Sequence, residues 1–328
     1  MKAITYDRFG PAAEVLTLAD VETPVPAAGE VLVRVAFSGV NPSDVKARGG
    51  ARPGVTTPPF PQIVPHSDGS GVIEAVGTGV DPARIGERVW IWNGQWQRPF
   101  GTAAEYVALP QAQAVALPDD VSLETGAVLG IPGLTAAQCV FGGGDVSGKT
   151  LLVSGGAGTV GHLAVQLAAW GGAKVIATAS PRDADRVRAA GAAHVLDYRA
   201  PDLAEQIIAA NDGAPIDRGV EVEFGPNAAL LAEVMAPNST VAIYGSAKDM
   251  TPTLPFGPML FKALKLDIVL IYILPDGPRA AAITLLHKAL TEGALTCPVQ
   301  EIVPLAETAR AHELVEAGGR RGAVLVQA

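Results

Sequence analysis

Residues 151–161, LLVSGGAGTVG, restrict the possible folds more than any other stretch of the chain. Thr150, Leu151, Leu152 and Val153 form the short apolar run of a strand buried on both faces. Val160, Leu163, Ala164, Leu167 and Ala168 then recur at helical spacing. Between the two stand Gly156, Gly158 and Gly161, a complete G-x-G-x-x-G whose gaps are filled by Ala157, Thr159 and Val160. The spacing predicts a tight turn at the first glycine, close backbone approach to a pyrophosphate at the second, and tight packing of helix on strand at the third. The helix start offers its unpaired N–H groups to an anion. With 37 glycines in the chain the spacing alone is weak, and the strand before and helix after it make this a dinucleotide-binding turn.

A chain of 328 residues exceeds one ordinary core and suits two domains. The 48% apolar and 17% charged composition excludes a disordered chain. Its 24 basic and 33 acidic residues give a net charge of −9, which argues against a nucleic-acid or anionic-membrane partner. Two cysteines, Cys139 and Cys297, are too few for a disulfide framework. No signal peptide or long apolar run is evident, so a cytoplasmic location is the expectation.

In chain order, strand candidates fall at 2–6, 30–38, 71–76, 88–92 and 103–108, separated by Gly/Pro-rich connections. They predict a partly open β domain over 1–121. From 122 the pattern changes to strand candidates at 150–154, 174–178, 194–196, 216–221, 240–244 and 266–271, alternating with helical stretches at 159–170, 183–190, 203–210 and 227–235. Six strands with intervening helices predict a doubly wound parallel sheet over 122–292. A helix at 279–290 leads out, and 293–328 returns to complete the first domain.

GVNPSD at 39–44, PHSDGSG at 65–71, GERVW at 86–90, GTAAEY at 101–106, IPGLTAAQ at 131–138 and the closing Arg321-Gly322 occur around the dinucleotide turn in an order that resembles the medium-chain dehydrogenase/reductase superfamily. Within it the chain is similar to the zinc-independent quinone oxidoreductases, the zeta-crystallin group. The resemblance spans the whole chain and implies an α/β molecule, with a GroES-like partly open β-barrel beside a six-stranded Rossmann sheet. Where the zinc alcohol dehydrogenases of the superfamily carry cysteine, histidine and cysteine, this chain matches with Asn41, Ser67 and Ile131, none of which offers a thiolate or imidazole. His66, beside the lost ligand position, stands as a lone histidine of structural or substrate-side character, and no metal is expected.

The second strand of the parallel sheet ends Ala177-Thr178-Ala179-Ser180-Pro181-Arg182, with no acid before Asp183. An unopposed Arg182 beside Ser180 suits a phosphate better than a ribose hydroxyl. The resemblance adds Tyr198 after the third strand and an arginine near the C-terminus, Arg320 or Arg321, so NADPH is the expected cofactor. Surface packing is the competing reading of Tyr198.

The resemblance implies hydride transfer from NADPH to a quinone, with an enone or enoyl double bond as the alternative acceptor. It places Thr135 by the nicotinamide and Asn41 at the acceptor carbonyl, its amide donating to an oxygen that gains charge. Asn-Pro is also a turn initiator. Gly245 and Ser246 follow the fifth strand and face the cofactor. Where some members of the family carry tyrosines for protonation, this chain has Lys46 and Arg52, and Lys46 is read either as an oxyanion stabiliser or as a solvated side chain. Trp90, Trp92, Asn93, Gln95, Trp96 and Phe100 form an aromatic and amide cluster, from which Trp92 and Trp96 are the substrate candidates. Of another class is a non-catalytic crystallin-like or RNA-binding role, opposed by the acidic charge. The apolar stretch 266–273 would leave an exposed sheet edge unless paired, and the resemblance implies that it pairs across a two-fold axis in a homodimer, with a tetramer left open.

Overall fold

Alternation at Val31, Val33 and Val35 fixes the first sheet, because these side chains enter a core with Ile73, Val89, Ile91, Val107 and Leu109. The computed structural model describes residues 1–51 and 54–328, so Arg52 lies outside the described residues. The chain divides into two compact units, Met1–Ile131 with Cys297–Ala328, and Pro132–Thr296.

The first unit begins with β1 (Lys2–Thr5), α1 (Ala12–Val15), β2 (Thr17–Asp20), β3 (Glu30–Val40), α2 (Pro42–Arg48), β4 (Asp68–Val76), β5 (Arg88–Ile91), β6 (Tyr106–Pro110), β7 (Ala114–Ala116) and α3 (Leu123–Gly126). The sixth strand begins later than the sequence pattern predicts, because Ala103 and Ala104 pair with β1 instead, with Ile4 N–H donating to the Ala103 carbonyl at 2.9 Å. The Asn-Pro turn opens a helix: Asn41 is the N-cap of α2 and Pro42 its first residue, where the missing N–H of proline is without cost. The sequence pattern divides the chain at 121/122. The compact unit runs on to Ile131, as α3 stays attached to the sheet with Ser70 Oγ donating to the Leu123 carbonyl at 2.5 Å.

The second unit holds α4 (Leu134–Phe141), β8 (Thr150–Val153), α5 (Thr159–Trp170), β9 (Lys174–Ala179), α6 (Ala184–Ala189), β10 (His194–Asp197), α7 (Leu203–Ala210), β11 (Ile216–Glu221), α8 (Phe224–Val234), β12 (Met235–Ile243), α9 (Phe256–Phe261), β13 (Lys265–Ile268) and α10 (Asp276–Thr291). Its six strands are all parallel in the order β10-β9-β8-β11-β12-β13, so the chain reverses direction across the sheet at β8, where doubly wound sheets bind ligands. The last strand stops at Ile268 although the apolar run continues. Arg279 explains the stop, its guanidinium taking the carbonyls of Ile271 and Leu274 at 3.2 and 2.7 Å and curling Ile271–Ile273 into a 3-10 turn.

The chain then re-enters the first unit with β14 (Val299–Pro304), α11 (Thr308–Ala317) and β15 (Ala323–Gln327). The completed sheet runs β14-β15-β3-β4-β5-β7, with β6 also on β3. Among the described residues no helix is long and apolar enough to cross a membrane.

Candidate active site

In the second unit the turn between β8 and α5 is pinned to β9, with Gly156 N–H donating to the Thr178 carbonyl at 2.9 Å and Gly155 N–H to Thr178 Oγ1 at 3.2 Å. The left-handed residue of the turn is Gly155, at φ +67°, rather than Gly156 as the three-glycine spacing predicts. Gly161 packs as expected: a Cβ there would lie 2.2 Å from the Gly155 carbonyl oxygen. A Cβ on Gly158 would meet nothing of the protein nearer than 3.4 Å, so its bareness keeps space open in front of the helix rather than within the fold. Thr159 Oγ1, on the first residue of α5, is buried and has no hydrogen-bond partner among the described residues. A bare Cα, an unsatisfied hydroxyl and the positive end of a twelve-residue helix fit the diphosphate of a dinucleotide.

Beyond β9 the expectation of an unopposed Arg182 is corrected. Arg182 Nε donates to the carboxylate of Asp183 at 3.0 Å, and Ser180 Oγ donates to the same oxygen at 2.7 Å. The 3-10 turn Pro181–Asp183 folds the buried Asp183 back beneath both donors. The Arg182 side chain remains 61% exposed. The sequence reading missed Arg186, which reaches back from α6 to donate to the Ala157 carbonyl in the glycine turn at 2.8 Å. Burial and the Arg186 cation push the neighbouring His162 down to about 4. Tyr198 stands just past β10, 46% exposed, with the Arg199 guanidinium 4.5 Å over its ring. Ser246 Oγ accepts from Gly225 N–H at 2.8 Å and donates to the Asp249 carbonyl, while Gly245 lies against the Val222 carbonyl. Thr135 is buried on α4.

In the first unit Asn41 is buried, and its amide Nδ2 donates to Asp68 Oδ2 at 2.7 Å. The amide that the sequence reading aims at an acceptor oxygen therefore has one N–H committed to the protein. The Asn41 main-chain N–H donates to the Asp44 carboxylate at 2.8 Å, which anchors the start of α2. Burial and the nearby Asp44 raise the Asp68 carboxyl well above the usual range, with the Ile131 N–H and the Asn41 amide pulling the other way. Asp68 opens β4 two residues after His66, which adopts φ +78° in the loop before the strand, a conformation few side chains take. The lone character expected of His66 is also corrected: its Nδ1 lies 2.8 Å from Ser38 Oγ, and its Nε2 lies 2.8 Å from Nε2 of His312 on α11. Ser38 Oγ is in turn 2.8 Å from Thr102 Oγ1, and Thr102 donates to the Asp68 carbonyl. Lys46 is exposed on α2. Trp90 is fully buried, and Trp92 falls just past β5 with Nε1 donating to the Ala112 carbonyl at 3.1 Å. Trp96 is partly exposed in the following turn. Arg320 and Arg321 belong to the first unit, just before β15, and Arg321 N–H donates to Gln300 Oε1 at 2.8 Å.

The donor set does not fit zinc. Asn41, Ser67 and Ile131 offer no soft ligand, and both nitrogens of His66 lie against Ser38 and His312. Burial pushes the thiols of Cys139 and Cys297 up to about 12. Among the described residues no three His, Cys, Asp or Glu side chains group closely enough to hold a metal.

A contiguous Rossmann unit with a glycine turn, inserted in a unit of largely antiparallel β-structure, defines a dinucleotide-binding oxidoreductase. Two family models match, the alcohol dehydrogenase GroES-like domain over residues 27–119 and the zinc-binding dehydrogenase over 159–284. The chain is 29% identical to a chloroplastic quinone-oxidoreductase homolog of Spinacia oleracea, over 100% of this chain and 98% of the relative. Among solved structures it superposes on an NAD-dependent alcohol dehydrogenase with a TM-score of 0.89 and 29% identity. A mycobacterial protein complexed with NADPH gives a TM-score of 0.88 and 28% identity, and each of these two matches covers 100% of both chains. The two matched domains place the chain in the medium-chain dehydrogenase/reductase superfamily, and the curated relatives it resembles along nearly their whole length include quinone oxidoreductases.

Proposed function

We propose that this protein is a zinc-independent NADPH:quinone oxidoreductase. The observation that carries the reading is the glycine turn, where the bare Gly158, the unsatisfied Thr159 hydroxyl and the end of α5 meet the Arg186 guanidinium. Backbone N–H groups of Ala157, Thr159, Val160 and Gly161 hold the diphosphate in this reading, while Gly156 and Gly158, whose N–H groups go to the Thr178 and Gly155 carbonyls, shape the turn and leave it room. Arg182 and Tyr198 take the adenosine 2′-phosphate, with Asp183 orienting Arg182, and Ser180 joins them by turning its hydroxyl hydrogen from Asp183 to the phosphate. NADPH is favoured over NADH because the first carboxylate after β9, Asp183, is buried beneath its two donors, while the Arg182 cation stays exposed. Thr135, Gly245, Ser246 and Arg321 complete the cofactor contacts.

Bound NADPH supplies a hydride to an electron-poor conjugated ring. The protein's part is to orient and to stabilise charge. Asn41, fixed by Asp68 through one N–H, directs its second N–H to the acceptor oxygen, and Lys46 adds positive charge. Trp92 and Trp96 offer flat faces to a planar acceptor. The same groups would serve an enone, so the deciding experiment is NADPH oxidation over a quinone panel and a panel of small enones. Turnover with quinones well above that with enones, unchanged by a chelator, is the expected result. Higher turnover with enones, or loss of activity on chelation that zinc restores, would overturn it. We also assign the exposed apolar edge around β13, with Phe261 91% and Ile268 79% exposed, to a homodimer.

A further inference from the structure

The polar cluster behind Asn41 contains four contacts whose donors are fixed by one another. Thr102 Oγ1 meets the main-chain carbonyl of Asp68, which only accepts, so the single hydroxyl hydrogen of Thr102 is spent there. In the 2.8 Å contact between Ser38 and Thr102 the hydrogen is therefore that of Ser38. Ser38 then has only lone pairs for His66, so His66 carries its hydrogen on Nδ1 and keeps Nε2 as an acceptor. The 2.8 Å contact between the two Nε2 atoms makes His312 the donor, which leaves His312 Nδ1 as a bare lone pair. That atom is buried and has no partner among the described residues, as the deduction requires. Ser38, His66, Thr102, Asp68 and His312 are all fully buried, so no solvent competes for any link.

The chain of donors thus runs one way, from α11 through the loop before β4 to the backbone of Asp68, whose carboxyl group holds the Asn41 amide. It also crosses the residue held at positive φ, His66. We propose that His312 and His66, through Ser38 and Thr102, are positioning residues that set the aim of the Asn41 amide, with His66 locked as the Nδ1–H tautomer and His312 as the Nε2–H tautomer. The role in turnover rests on the reading of Asn41 given above, whereas the tautomer pair does not.

The test has two arms. In ¹⁵N-histidine-labelled protein at neutral pH, with signals assigned by loss in His312→Gln, the His66 Nε2 and His312 Nδ1 resonances should show the shifts of unprotonated nitrogens. Reversed or averaged tautomers would overturn the assignment. In kinetics, His312→Leu removes the first donor and should lower kcat with a quinone about tenfold or more, with the Kd for NADPH unchanged. His312→Gln, which retains an N–H at the same reach, should recover most of the loss, and Ser38→Ala, which cuts the chain elsewhere, should repeat it. Wild-type kcat in both His312→Leu and Ser38→Ala, or no recovery in a folded His312→Gln, would overturn the positioning role. Absence of turnover by the wild type with every acceptor would instead sink the proposed activity, leaving the tautomers to be decided by the spectra.

Discussion

Arg186 ties a helix to the turn in which a diphosphate is to lie, through one charged hydrogen bond to the Ala157 carbonyl. Such bonds contribute about 1.5–3 kcal/mol, so Arg186→Met should raise the NADPH Kd about tenfold or more, read by quenching of tryptophan emission. Gly161→Ala puts a methyl 2.2 Å from the Gly155 oxygen, and the overpacked turn should cost about 1–3 kcal/mol and depress both Tm and cofactor affinity. The three spaced glycines were legible because a repeat of the same residue announces a backbone constraint. Gly155, Arg186 and the fold-back of Asp183 onto Ser180 and Arg182 were not, since the first stands outside the spacing and the other two depend on a fold of the chain that no local pattern encodes. Asp68 and His312 escaped notice for a related reason. Each is unremarkable among its sequence neighbours and acquires its partners only when β3, the loop before β4 and α11 come together.

At the level of elements, the central strands β8 and β9 were readable from short apolar runs, and α5 and α7 from their periodicity. The short edge pieces β2 and β7 were not, having too few residues to show a period, and α2 hid behind a proline that reads as a turn but serves as a helix start. The strand most open to association is β13, paired on one side only, with Ile268 and Phe261 exposed beside it. Ile268→Lys should convert the proposed dimer to monomer in sedimentation velocity while leaving the far-UV circular dichroism unchanged. A wild-type protein sedimenting as a monomer at micromolar concentration would remove the basis of that assignment.

For the molecule as a whole, buried neutral histidines make stability depend on acidity. Burial pushes His66 down to about 3, against about 6.5 in an unfolded chain, and His312 is also lowered well below its ordinary value. Below the unfolded value the unfolded chain binds more protons than the native one, so stability is fully present above about pH 6.5 and drains away as pH falls toward 3, by about 1.4 kcal/mol per pH unit for each such imidazole. Urea midpoints should fall between pH 7 and pH 5, and less steeply in His312→Gln. Cofactor should act in the other direction: at a hundredfold excess over Kd, NADPH should add about 2.7 kcal/mol and raise Tm, and NADH at the same concentration should add less.

The insertion of one unit in the other carries a consequence for biosynthesis. Residues of Pro132–Thr296 are contiguous, so that unit is fully translated while the sheet of the first still lacks β15, which lies between β14 and β3. A nascent polypeptide must therefore shelter an unfinished barrel edge until Ala323–Gln327 leaves the ribosome, and arrest of synthesis before that point should yield a nucleotide-competent half beside a protease-sensitive one.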